Sequence, residues 1–203
     1  EKYNVSIRLG KLIDDKYLLE KNFDKVVLAT GVKPRKLELE GADHKKVLSY
    51  LDVLDNECFV GNKVAIIGAG GIGIDVAHYL SSKNPFSSSV SKYLKEYEIL
   101  DSDQALGILK PKKREITILQ RSTEKIGKRL GKTTGWAHIQ MLKSHGVHLV
   151  SGVNYIKIDN EGLHIEVIRK KGSDFQKLLI DVDNIIVAAG QEQKLEFAEK
   201  LIE

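Results

Sequence analysis

Apolar residues in this chain come in short dense runs separated by polar turns, and the runs follow two different periods. Residues 64–67, 116–119 and 185–189 are unbroken runs rich in strand formers, the pattern of strands buried on both faces. Residues 71–82 instead set Ile74, Val76, Ala77 and Leu80 at helical spacing. A second helix is predicted over 134–144, stopping at Gly146, which suits a left-handed cap, with a strand at 147–151 directly after. Residues 155–159, 163–169 and 177–180 read as turn-linked strands of an antiparallel meander. Near the start, 5–8 and 16–20 read as two short strands about the Asp14-Asp15 turn, and 25–29 as a buried strand closing on Thr30-Gly31. That last phrase, 24–31, recurs at 183–190, closing on Ala189-Gly190. The prediction is an α/β fold: a Rossmann-like three-layer domain with an antiparallel meander, preceded by part of a second nucleotide-binding domain that lacks an opening strand.

Composition narrows the function classes. With 203 residues, 42% of them hydrophobic, a sizeable core is available. Lys and Arg number 32 against 28 Asp and Glu, an excess too small and scattered for a nucleic-acid groove. The basic run Lys110, Lys112, Lys113, Arg114 reads as a solvated loop. No apolar stretch approaches the roughly 20 residues of a membrane span, so the expected setting is cytoplasmic, with no membrane partner. A single cysteine, Cys58, excludes an internal disulfide or a cluster held by this chain alone. The six histidines show no metal-ligand spacing, no metal is expected, and Trp136 reads as core. Asn4-Val5-Ser6 fits the glycosylation pattern only by accident, and because the chain opens on Glu1 it is expected to be a piece of something longer.

The candidate chemistry lies at Gly68-Ala69-Gly70-Gly71-Ile72-Gly73, a Gly-x-Gly-x-x-Gly between a strand and a helix. Gly68 makes the tight turn, Gly70 lets the backbone approach a pyrophosphate, and Gly73 lets helix and strand pack closely. The diphosphate would rest on the first helical amides, at the positive end of the helix. Adenosine specificity is expected at the end of the second strand, where Gln120-Arg121 replaces the usual ribose-binding acid. A guanidinium there matches a 2′-phosphate, with Lys125, Lys128 or Arg129 assisting, which favours NADPH over NADH; Glu124 as a displaced ribose acid is the alternative. The segment 127–133 resembles a phosphate-binding P-loop but has three residues between its glycines instead of four, and no strand pattern before it.

The two glycine-ended strands, the central fingerprint, and the segments 48–54, 64–80, 119–121 and 130–136 resemble the C-terminal half of the bacterial NADPH-dependent 2,4-dienoyl-CoA reductases. That family is similar in plan to trimethylamine dehydrogenase: a flavin-bearing barrel with a 4Fe-4S cluster, then an FAD domain into which an NADPH domain is inserted. The resemblance implies that residues 1–60 end the first half of the FAD domain, 61–192 form the NADPH domain, and 193–203 begin the return to the FAD domain. It implies that Thr30 and Gly31, with Pro34-Arg35, form a crossover beside FAD, and that Ala189, Gly190 and Gln191 form the return crossover. Gln193 stands where that family usually has a proline. Electrons would pass from NADPH through FAD, the cluster and FMN to a dienoyl-CoA in fatty acid β-oxidation. FMN, the cluster and the catalytic barrel belong to parts of that enzyme outside this chain, so no catalytic residue is assigned here, and the chain is expected to bind without turning over. Two alternatives stand: another NAD(P)H:flavin oxidoreductase of the same plan, acting on enoates or demethylating amines, and a non-enzymatic nucleotide-sensing module.

Overall fold

The structure is a computed structural model that describes residues 3–55, 58–82, 114–168 and 175–194. In chain order the elements are α1 (Asp15–Lys21), β1 (Val32–Pro34), β2 (Val47–Ser49), α2 (Tyr50–Leu54), β3 (Lys63–Ile67) and α3 (Gly71–Ser82). Then come β4 (Glu115–Gln120), α4 (Gly135–Ser144), β5 (His148–Ser151) and β6 (Val153–Ile158). The last are β7 (Leu163–Ile168), β8 (Phe175–Ile180), β9 (Asn184–Val187) and β10 (Gln191–Gln193). The chain divides into two compact units, Pro34–Gly190 and the paired segments Glu1–Lys33 and Gln191–Glu203.

The larger unit is a three-layer α/β fold. Its middle layer is a five-stranded sheet in the order β2-β9-β3-β4-β5, parallel at every pairing. Alternate residues of a strand point to opposite faces, and each face here has its own core. Val64 and Ile66 of β3, Ile116 and Ile118 of β4, and Ile186 of β9 pack in one cluster with residues of α2, α3 and α4. Ala65, Ile67, Leu119 and Ile185 pack in the other, with Leu163 and Ile165 of the antiparallel β6-β7-β8 meander. Both faces are covered, which is why these strands read as continuous apolar runs. Each fully buried isoleucine contributes about 1.5–3 kcal/mol relative to exposure. In this unit β2 forms one edge of the sheet, and Tyr50 and Val53 of α2 are core residues.

Polar side chains set where β3 begins. Asp183 accepts from the amides of Asn62 (2.8 Å) and Lys63 (2.9 Å), and Asn184 Oδ1 accepts from Gly61 N–H (2.8 Å). Arg114, expected in a solvated loop, is half-buried and donates to the carbonyls of Gly61 (3.1 Å), Leu80 (3.2 Å) and Val60 (3.2 Å). Lys110, Lys112 and Lys113 lie outside the described residues.

The smaller unit corrects three strand assignments. Residues 16–20 belong to helix α1, because local signals outweigh their alternation: Asp14 caps by accepting from Tyr17 N–H, Asp15 and Lys21 suit the helix ends, and Asn22 closes it in the left-handed conformation. Residues 5–8 and 25–29 are not strands, and Val27 is 89% exposed. A strand needs a neighbouring ladder, and among the described residues none pairs with these. No helix among the described residues is long and apolar enough to cross a membrane.

Candidate functional site

The sheet delivers its polar backbone to one point, the turn from β3 into α3. Gly68 N–H donates to Leu119 O of β4 (3.0 Å), and Ala188 N–H, just past β9, donates to Ile67 O (2.8 Å). Gly68 has φ +114°, and a Cβ there would stand 2.3 Å from Ala188 O. A Cβ on Gly73 would stand 2.0 Å from Gly68 O, so the helix packs on the turn at backbone distance. Gly70 and Gly71 differ: both are exposed, and a Cβ on either would meet nothing within 4 Å. The outer wall of the turn is bare main chain.

Ile74 N–H closes the first bond of α3, to Gly70 O (3.0 Å). The amides of Gly71, Ile72 and Gly73 stand ahead of it, where a helix has no carbonyl of its own to offer them. The first turn of α3 holds no acidic side chain to neutralise its positive end. Unscreened amides, a positive dipole and a wall free of side chains together fit a diphosphate. Ala69 and Ile72 are half-buried and pack against the helix-side core, which fixes the turn from beneath.

The loop after β4 is braced from within. Gln120 Nε2 donates to the carbonyls of Ser122 (3.1 Å) and Glu124 (2.8 Å), and Ser122 Oγ accepts from Glu124 N–H (3.2 Å). Tyr155 of β6 donates its hydroxyl to Leu119 O (3.2 Å), the carbonyl that also holds Gly68. Burial pushes the Tyr155 phenol well above its ordinary value, so it stays a donor. Arg121 and Lys125 are exposed. Glu124 pairs with Lys128 Nζ (2.6 Å) and Arg129 Nε (3.4 Å). Lys128 and Arg129, expected to assist Arg121, are thus engaged by the acid instead, and Glu124 does not stand as an unpaired acceptor.

Six residues separate the end of β4 from 127–133, and Gly127 (φ +93°) is crowded by Ile139, so this segment is a packed connection into α4 and not a loop springing directly from a strand as a P-loop does. Trp136 is 72% exposed, not core, its Nε1 donating to Thr133 O (3.0 Å); at the first turn of α4 its apolar neighbours Ile139 and Leu142 already fill the buried face. His145 Nδ1 lies 3.0 Å from Ser81 Oγ, and His164 Nε2 lies 2.8 Å from Asp159, whose carboxylate also pairs with Lys157 (2.8 Å). In the smaller unit, Thr30 Oγ1 donates to Lys194 O (2.9 Å) and Gly31 O accepts from Lys194 N–H (3.2 Å), beside the β1-β10 ribbon that contains Gln191. In the larger one, Gly190 (φ +113°) accepts at its carbonyl from Arg35 N–H (3.1 Å), and Ala189 packs on the meander-side core. The bracing role of Tyr155 carries no sequence signal, because nothing in a lone tyrosine on a strand shows which carbonyl it will reach.

The family described as pyridine nucleotide-disulphide oxidoreductase matches residues 4–202. A metal reductase of Desulforamulus reducens is 26% identical over 182 residues, 90% of this chain and 26% of that protein. A cinnamate reductase of Clostridium sporogenes is 43% identical over 79 residues, 39% of this chain and 12% of that protein. Among solved structures, a 2-naphthoyl-CoA reductase superposes with TM-score 0.68 at 21% identity, covering 98% of this chain and 25% of the other. The chain thus spans about a quarter or less of the length of these relatives.

Proposed function

Because this chain belongs to the pyridine nucleotide-disulphide oxidoreductase family, whose members bind FAD and NAD(P)H, we propose that it is the NADPH-binding, electron-entry part of a flavoprotein reductase. The observation that carries this is the bare, amide-rich wall at Gly70 and Gly71, open on the outside and locked on the inside by Gly68 and Gly73. In this reading the amides of Gly71, Ile72 and Gly73 hold the diphosphate, Arg121 and Lys125 hold the 2′-phosphate, and residues 61–192 are the nucleotide domain. When bound, NADPH would supply a hydride to a flavin; by the family resemblance Thr30, Gly31 and Gln191 in the smaller unit, and Ala189 and Gly190 in the larger, are crossover residues. This chain's part is to bind and orient the nucleotide.

For the whole polypeptide we propose reduction of a conjugated acyl-CoA, a 2,4-dienoyl-CoA, with FMN and an iron–sulfur cluster held outside this chain. The fold likeness to a 2-naphthoyl-CoA reductase supports that reading. The 43% identity to a cinnamate reductase favours a second one, an enoate reductase of the same plan. Either way the 203-residue chain should bind NADPH yet reduce no substrate.

Calorimetric titration of the chain with NADPH and NADH, repeated on Arg121→Ala, tests the nucleotide assignment. Removing a charge-assisted contact should weaken NADPH by about 1.5–3 kcal/mol and leave NADH unchanged. Equal losses for both nucleotides would refute the 2′-phosphate role of Arg121.

A further inference from the structure

The loop after β4 holds five basic side chains, Arg121, Lys125, Lys128, Arg129 and Lys132, and one acid, Glu124. They are not equivalent. Glu124 gives one carboxylate oxygen to Lys128 Nζ at 2.6 Å and the other to Arg129 Nε at 3.4 Å. Its main chain is fixed at both ends, the carbonyl by Gln120 and the amide by Ser122. The carboxylate is therefore held in place near the adenosine end of the proposed site, three residues beyond Arg121, and both of its oxygens are occupied. Left unpaired, that acid would do two things. It would repel a 2′-phosphate arriving at Arg121, and it would offer a ribose diol the acceptor that NADH-binding sites use.

We propose that Lys128 and Arg129 determine coenzyme specificity indirectly, by sequestering Glu124, so that Arg121 and Lys125 meet the 2′-phosphate without a competing negative charge. Lys128 and Arg129 are positioning residues in this scheme and touch no part of the nucleotide. The hydrogen bond from Lys128, with its charge, also holds the Glu124 carboxyl below its ordinary value, which favours its ionised form. The inference rests on the NADPH reading above and refines it: selectivity comes from two layers, a cationic ligand and a masked acid.

The test uses four forms of the 203-residue chain: unaltered, Lys128→Ala/Arg129→Ala, Glu124→Gln, and the triple variant. Each is titrated with NADPH and NADH, with circular dichroism to confirm folding. The double variant should bind NADPH about five- to tenfold more weakly while NADH binding holds or tightens, as expected for an unmasked like charge. Adding Glu124→Gln should then restore NADPH affinity to near the unaltered value, because no charge remains to be masked. If the triple variant is as weak as the double, Lys128 and Arg129 are direct phosphate ligands and the proposal is wrong. It is also wrong if the double variant matches the unaltered chain. Should Arg121→Ala discriminate the nucleotides while the double variant does not, only the masking is lost; should the unaltered chain bind neither nucleotide, both readings fall together.

Discussion

Gly73 and Gly68 meet at backbone distance: a side chain on the first would put its Cβ 2.0 Å from the carbonyl oxygen of the second. That oxygen cannot retreat, because the Gly68 amide is bonded to Leu119 O at 3.0 Å. Gly73→Ala should therefore cost about 1–3 kcal/mol of stability through overpacking. Gly70→Ala has open space and should leave stability within about 0.5 kcal/mol. If a diphosphate lies against that wall, Gly70→Ala should nonetheless weaken NADPH and NADH alike, by about tenfold or more for the loss of a charge-assisted contact. Urea unfolding and calorimetry separate the two effects, and a Gly70→Ala chain with unchanged nucleotide affinity would place the ligand elsewhere.

Tyr155 ties the meander to the same turn, since its hydroxyl and the Gly68 amide share Leu119 O. Tyr155→Phe keeps the ring and removes one bond of about 0.5–1.5 kcal/mol. The expected result is a matching loss of stability and a modest, equal weakening of NADPH and NADH. Arg121→Ala should instead separate the two nucleotides. A Tyr155→Phe chain that discriminated between them would show the tyrosine acting on the ribose end and not on the turn.

Much of this was legible in the sequence because the central strands are buried on both faces, so their signal is continuous and independent of distant partners. β4 covers the apolar run at 116–119 with one residue more at each end, and β3 and α3 flank the glycines as expected. The limits of legibility show best in the repeated phrase at 24–31 and 183–190. The second copy becomes β9 because β2 and β3 lie on either side of it; the first, with no ladder among the described residues, is not a strand. Local pattern states what a segment could pair with, not whether a partner is present. Side-chain reach was equally hidden: that Glu124 would engage Lys128 and Arg129, or Arg114 three carbonyls, depends on contacts made only in the folded chain.

Acid should loosen the larger unit through Asp183. The amide of Lys63, then that of Asn62, favours its ionised form and holds its carboxyl below the ordinary value. A carboxylate depressed on folding contributes stability that is complete above its unfolded value, about 4, and is lost as pH falls through the folded value. Asp183→Asn should therefore be less stable than the unaltered chain at pH 7, and the gap should close as pH drops below about 4. Urea midpoints across that range check the convergence; a gap that stays constant would mean the side chain acts through packing instead of charge.

Arg114 makes the larger unit's most connected polar anchor among those described above, joining the carbonyls of Val60 and Gly61, ahead of β3, to that of Leu80 near the end of α3. Burial lowers its affinity for its proton, yet a guanidinium remains charged and its planar fork can serve three acceptors at once. The carbonyl of Leu80 also lies at the negative end of the helix, where a cation is favoured. Arg114→Ala should cost about 1.5–3 kcal/mol, since it leaves these partly buried acceptors without their charged donor. Arg114→Lys should recover only part of that, because an ammonium keeps the charge and loses the fork. The glycine turn is at the opposite end of α3, so nucleotide affinity in whatever fraction remains folded should be unchanged. Urea unfolding of both variants, with NADPH titration below the transition, decides the matter: a lysine as good as arginine would show that charge alone suffices, and a loss of affinity would show that the two ends of α3 are coupled.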